Sequence, residues 1–294
     1  MNPHLLLYGL VFVMVLCWSG NYVAAKIVFR EMPALLVMSL RTVISAALML
    51  PIYLRRPRTA VSIWTRREMG LLILLGIGGM MLNQLFWTLG VARTTVVHSS
   101  MIMATTPVFV LFMAGMMGIE RIMLPKIGGM AIAMAGVAML QIFRPKSATN
   151  SATLTGDFLV LLCALALAGN TAYGKKHKPH SGGIGVNTVG YVGGAALMLP
   201  ALWFSSRGVD FGRITLSGWA GVFYMGAISS VTGYLIYYYA LVRIPASRMA
   251  AFQYLQPVFA SLMAVAMLGE QLTGAALAAG GVIFAGVFIT ERFG

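Results

Sequence analysis

The sequence predicts an all-α polytopic membrane protein whose ten spanning helices form two inverted five-helix repeats. Three observations carry that prediction. Hydrophobic residues make up 59% of the 294 positions and charged residues only 10%, against about 25% charged in an ordinary soluble domain. A core of this size cannot hide so much apolar surface from water, so lipid must cover it. Apolar runs of about 18–22 residues, each long enough to cross a hydrocarbon layer roughly 30 Å thick, recur ten times. Finally, the chain repeats itself at an offset of 150 positions: Pro107-Val108-Phe109, Met113-Ala114, Met117 and Glu120 return as Pro257-Val258-Phe259, Met263-Ala264, Met267 and Glu270.

The runs cover 5–25, 33–54, 69–91, 96–117 and 126–143, then 157–174, 186–204, 218–240, 249–268 and 274–291. The first lacks a basic leader and a small-residue cleavage site, so it reads as a retained span and not a signal peptide. The second carries Arg41, the one basic residue well inside a run. The fourth and ninth are interrupted by Pro107 and Pro257, which remove a backbone donor and kink a helix. The fifth and tenth are rich in small residues, with Gly128, Gly129 and Gly136 against Ala278, Ala279, Gly280, Gly281 and Gly286. Small residues let helices approach closely, so these two runs are expected to form a seam between repeats or a dimer face. Ser147 to Thr155 is polar and Ser/Thr-rich. The chain therefore divides into a first repeat at 1–146, a linker at 147–156 and a second repeat at 157–294.

Charge fixes an orientation. The net charge of +14 sits mostly in short loops, the pattern of a polytopic membrane protein and not of a nucleic-acid binder. With the N-terminus cytoplasmic, 13 Lys and Arg face the inside and 7 the outside. Both termini are expected in the cytoplasm of a cell (inner) membrane. Five spans per repeat is an odd number, so the second copy enters the membrane from the opposite face. Such inverted repeats mark alternating-access transporters, whose substrate site lies near the midplane between the copies.

Several of these features together resemble a known family. Leu268-Gly269-Glu270, Gly118-Ile119-Glu120, mid-span Pro107 and Pro257, and Trp18-Ser19-Gly20-Asn21 in the first span resemble the EamA branch of the drug/metabolite transporter superfamily. Within that branch the chain is similar to the amino-acid exporters of the YddG type. The resemblance implies intertwined repeats around a central cavity and export of amino acids or other metabolites.

Polar groups inside spans are costly and tend to face a cavity or a partner helix. The first span offers Trp18, Asn21 and Tyr22, and its repeat mate offers Asn170 and Tyr173. Asn83 and Trp87 share a helical face in the third span. Tyr234 and Tyr238 lie four apart in the eighth, whereas Tyr237 and Tyr239 read as interfacial anchors. His98 and Met101 precede Pro107, and Gln253 and Gln256 precede Pro257. These residues form the candidate substrate-binding set, with Pro107 and Pro257 as kinks or hinges. The competing reading of each polar residue is a helix-to-helix hydrogen bond. Glu120 and Glu270 fall at span ends, where helix capping or a loop bridge is expected. The span interiors hold no further carboxylate, so the buried acid of a straightforward proton antiporter is not expected.

The functional reading is a secondary transporter exporting amino acids with aromatic or other apolar side chains, or related metabolites. The alternative is another cargo: a nucleotide sugar, a vitamin or a cationic drug. A membrane-embedded enzyme would need a nucleophile, His or carboxylate cluster, and the chain is read as no enzyme. Cys17 and Cys163 lack disulfide or metal spacing, and no phosphate loop is present, so no cofactor or metal is expected. The expected partners are a small-molecule substrate and the lipid bilayer, with the protein a monomer or homodimer.

Overall fold

The structure, a computed structural model, describes residues 3–55, 65–118, 123–142, 153–177, 182–241, 243 and 255–292. The described residues form helices and contain no strand. The helices are α1 (Pro3–Val28), α2 (Ala34–Leu54), α3 (Arg66–Val91), α4 (Val96–Met116), α5 (Leu124–Ile142), α6 (Leu154–His177), α7 (Gly182–Ser206), α8 (Leu216–Ala240), α9 (Leu255–Leu268) and α10 (Gly274–Arg292). Seven of them, α1–α4 and α6–α8, are long and apolar enough to cross a membrane. Shorter apolar stretches cover Leu255–Leu268 in α9 and Gly274–Gly286 in α10. Thr65 and Thr215, separated by the repeat offset, cap α3 and α8 by accepting from the amides of Glu68 and Gly218, which satisfies donors the first helical turn leaves free.

Large apolar side chains point outward along these helices. Leu197, Leu199, Trp203 and Phe204 of α7 and Phe288 of α10 are all more than half exposed. Contiguous apolar surface of this kind is unstable in water and stable against acyl chains. The chain is a multi-pass membrane protein.

The packing follows the repeat offset. α2 packs on α7, and α5 packs on α10. α1 packs on α8 and α9, and its counterpart α6 packs on α3 and α4. The first helix of each half thus lies among the third and fourth helices of the other. The seam between α5 and α10 is as close as backbones permit. A Cβ added at Gly136 would lie 2.8 Å from the Ile283 amide nitrogen, and one at Gly286 would lie 2.6 Å from the Gly129 carbonyl oxygen. Backbone cannot swing aside as a side chain can. Gly286→Ala is therefore expected to cost about 1–3 kcal/mol by overpacking. It should lower the unfolding temperature in detergent by several degrees, whereas Gly128→Ala, where a Cβ meets open space, should leave it unchanged.

Two helices depart from regular α geometry at matching places. Residues 74–81 of α3 and 224–232 of α8 are π-helical. The first stretch lies against α7, where Gly76 meets the backbone of Gly190 and Val186. The second lies against α2, where Gly226 meets the Arg41 carbonyl and Ile44. In α8 the widened turns are braced by hydroxyls: Ser230 Oγ donates to the Met225 carbonyl at 2.8 Å and Thr232 Oγ1 to the Ala227 carbonyl at 3.1 Å. Such turns are uncommon and frequently mark functional positions.

The α4 helix is broken at Ala104–Thr105, just before Pro107. Proline leaves the Met103 carbonyl without its amide donor. The Thr106 hydroxyl fills that place at 2.6 Å, and Thr105 Oγ1 donates to the Ile102 carbonyl at 2.7 Å. The kink is thus satisfied by the chain's own hydroxyls. Pro257 falls in the first turn of α9; residues 244–254, including Gln253, lie outside the described residues, as does Glu120.

Candidate functional site

A cavity opens where α1, α2, α3, α4, α6, α8 and α9 converge. Its walls carry Trp18, Asn21 and Tyr22 from α1, Arg41 from α2, and Asn83, Gln84 and Trp87 from α3. Met103 and Thr106 come from α4, Leu167 from α6, Ser229 and Tyr234 from α8, and Gln256 from α9. Gln84 and Tyr234 are repeat mates and touch, with Gln84 Nε2 donating to the Tyr234 hydroxyl at 3.2 Å. Thr106 and Gln256, also 150 apart, both line the cavity. The cavity therefore sits where the two halves face one another.

Aromatic rings and amides dominate the walls. Trp18 lies 5.3 Å from Tyr234 and 5.6 Å from Tyr237, centroid to centroid. Its indole N–H donates to the Ser229 carbonyl at 3.1 Å, inside the π-helical stretch of α8. Tyr22 meets Trp87 edge to face at 5.2 Å. Asn83 Nδ2 donates to the Cys163 carbonyl at 2.9 Å, and Asn83 Oδ1 accepts from the Tyr234 hydroxyl at 3.3 Å. The Asn21 side-chain oxygen is buried with no hydrogen-bond partner among the described residues.

Arg41 is only 2% exposed. Its Nη2 donates to Ser230 Oγ at 2.8 Å and approaches the Met225 carbonyl oxygen at 3.4 Å. The guanidinium carbon stands 5.4 Å from the Trp87 ring centroid, a cation–π distance. Nη1 has no partner among the described residues.

Of the residues singled out from sequence, the cavity gathers Trp18, Asn21, Tyr22, Asn83, Trp87, Tyr234 and Gln256. Five others lie elsewhere. Met101 packs in the apolar cluster against Gly280. Asn170 lies against Gly79 on the π-helical stretch of α3, and Tyr173 packs beside Leu72, Leu75 and Val186. Tyr238 packs behind Tyr234 and Tyr237. His98 belongs to a separate network described below. Gln253 lies outside the described residues. Tyr237 corrects the anchor reading given to it: it is buried against Trp18, and only Tyr239 is exposed, beneath the Arg243 guanidinium. Gln84, Met103, Thr106, Leu167 and Ser229 enter the walls without having been in the candidate set.

A second polar cluster ties helix ends together on the face where α1 and α9 end and α4 and α6 begin. His98 Nδ1 lies 3.1 Å from Asp157 Oδ2. Thr94 Oγ1 donates to the other oxygen of Asp157, and the Thr94 carbonyl accepts from Lys26. Glu270 accepts from the amides of Val96 at 2.9 Å and Val97 at 3.2 Å. It therefore caps α4, as its span-end position suggested, where the helix dipole favours a carboxylate. Asp157 is 3% exposed and sits in the first turn of α6, at a span end and not in a span interior. Nearby, Glu31 accepts from the amide and hydroxyl of Thr215 at 2.8 and 2.7 Å, joining the end of α1 to the start of α8.

The family model of EamA-like transporters matches the chain twice, over residues 5–142 and 154–292. The chain belongs to the EamA-like transporter family. This transporter is 28% identical over 263 residues to a probable terminal-alkyne amino-acid exporter of Streptantibioticus cattleyicolor, covering 87% of this chain and 83% of that one. It is 26% identical over 290 residues to a probable amino-acid metabolite efflux pump of Salmonella typhimurium, covering 95% and 93%. A solved crystal structure shares the fold, with a TM-score of 0.63 at 17% identity over 97% of this chain and 96% of that one. Membership makes an enzyme an improbable reading.

Proposed function

We propose that this transporter exports amino acids with aromatic or other apolar side chains, by alternating access between two inverted five-helix repeats of ten spans in all. The carrying observation is the cavity between the repeats, walled by Trp18, Tyr22, Trp87 and Tyr234 together with Asn21, Asn83 and Gln256. Rings receive an apolar side chain, and amides receive its charged backbone groups. Two relatives are named for amino-acid or amino-acid-metabolite export, which supports the same cargo class. Arg41 in the wall disfavours a cationic drug. Phosphorylated cargo wants several converging cations, and Arg41 is the one cation lining the cavity among the described residues.

With both termini cytoplasmic in the inner membrane, the His98–Asp157–Thr94–Lys26 cluster lies on the outer face. There it acts as a latch that holds α1, α4 and α6 together while the cavity serves the inner face. The protein acts as a monomer or homodimer within the bilayer. The test is uptake of radiolabelled amino acids into proteoliposomes, with and without an imposed pH gradient. Accumulation of phenylalanine, leucine or a related apolar amino acid above empty liposomes is expected. Absence of uptake across the full amino-acid panel would exclude the proposed cargo.

A further inference from the structure

We propose that the cavity holds the zwitterionic backbone of its cargo between two fixed polar groups: the Arg41 guanidinium for the carboxylate and the Asn21 side-chain oxygen for the ammonium. The inference rests on the amino-acid reading and assigns each end of that substrate a contact.

It starts from two atoms the protein leaves unsatisfied. Arg41 Nη1 and Asn21 Oδ1 are buried without hydrogen-bond partners among the described residues, and both residues line the same cavity. Their polarities are opposite: one is a cationic donor, the other a neutral acceptor. Buried polar groups are nearly always paired, and an exception asks for a reason. Asn187 and Ser261 also hold unpaired buried atoms, but neither lines this cavity.

The guanidinium makes the stronger claim. A buried charge without a counter-charge is costly, and no Asp or Glu among the described residues lines the cavity. The protein does not leave the group loose. Ser230 and the π-helical carbonyl of Met225 engage Nη2, and Trp87 flanks the plane. One side of the fork is thus anchored and the other has no hydrogen-bond partner among the described residues. Arginine suits this use, because its rigid fork pairs with a carboxylate through parallel N–H donors. A carboxylate arriving with the cargo supplies the missing counter-charge. The ammonium of the same molecule brings donors to Asn21, with the rings of Trp18 and Tyr22 beside it on α1. Neither an amine nor a carboxylic acid alone satisfies both atoms.

The test uses the purified full chain in proteoliposomes and competition against labelled phenylalanine. The competitors are phenethylamine, which lacks the carboxylate, and 3-phenylpropionate, which lacks the ammonium. The wild type is expected to prefer phenylalanine over each by at least about tenfold, which is about 1.4 kcal/mol. Arg41→Gln should erase the preference over phenethylamine while keeping that over 3-phenylpropionate, and Arg41→Lys should restore part of it. Asn21→Leu should do the converse. If Arg41→Gln does not fold, the wild-type competition series still decides: equal competition by either analogue overturns the assignment. Phenylalanine uptake with both preferences intact in both variants also overturns it, and leaves the amino-acid reading standing. Failure of every amino acid to be carried by the wild type removes the broader reading instead.

Discussion

Asp157→Ala is expected to lower the unfolding free energy by about 3 kcal/mol and to speed hydrogen exchange at the start of α4. The carboxylate is 3% exposed and serves two buried partners, His98 and the Thr94 hydroxyl. Removing it leaves both without an acceptor in a space closed to water. Stranding a buried polar group that has lost its hydrogen-bond partner costs about 1–3 kcal/mol for each group. Thr94 is also the residue whose carbonyl receives Lys26, so the damage spreads to α1. Asp157→Asn keeps the volume and one acceptor, and should fall between wild type and alanine. His98→Gln should lose less than Asp157→Ala, and the double variant should lose less than the two together, since both act on one contact. Thermal unfolding in detergent and exchange at the amides of residues 96–100 provide the measurements. Wild-type stability and exchange in Asp157→Ala would remove the latch.

What the sequence makes legible here is what repeats along it. The duplication is written in the 150-residue offset, and Gly129, Gly136, Ala279 and Gly286 meet across α5 and α10 as their pattern suggests, whereas Gly128 and Gly281 face open space and Gly280 meets Met101 of α4. Capping by Glu270 was legible as chemistry, though its recipient, the start of α4, was not. Residues whose roles depend on distant packing were not legible. Asp157, in the first turn of α6, looks like an ordinary dipole complement. Its partner His98 is 59 positions away, and no local pattern joins them.

The tyrosine run shows the same boundary at finer scale. Tyr237, Tyr238 and Tyr239 differ by about 100° each around a helix, so composition alone cannot say which one faces inward. The wide π turns of α8 precede them and set that rotation, and these turns carry no periodicity of their own. Likewise Gln84 and Tyr234 are related by the repeat, but that such mates touch depends on both lying where the halves face each other. The offset is written in the sequence; the axis is not.

That axis makes Trp18 the most sensitive wall residue. Trp18→Ala is expected to reduce amino-acid uptake at least about tenfold, equivalent to about 1.4 kcal/mol. The indole contacts both Tyr234 and Tyr237 and ties α1 to the Ser229 carbonyl in the π-helical stretch of α8. Truncation removes a ring from the cavity and leaves a void whose full cost in a packed core is about 3–5 kcal/mol. Trp18→Phe separates the two roles. It keeps a ring against the tyrosines and deletes the N–H, so a loss similar to alanine's would assign the effect to the hydrogen bond with α8. Retention of most uptake would assign it to the ring. Gly233→Ala approaches from the other side, since a Cβ there would stand 2.5 Å from the indole nitrogen. It should displace the indole without deleting it and lower uptake by less than Trp18→Ala. Uptake unchanged in Trp18→Ala, at wild-type expression and stability, would place cargo recognition outside this cavity.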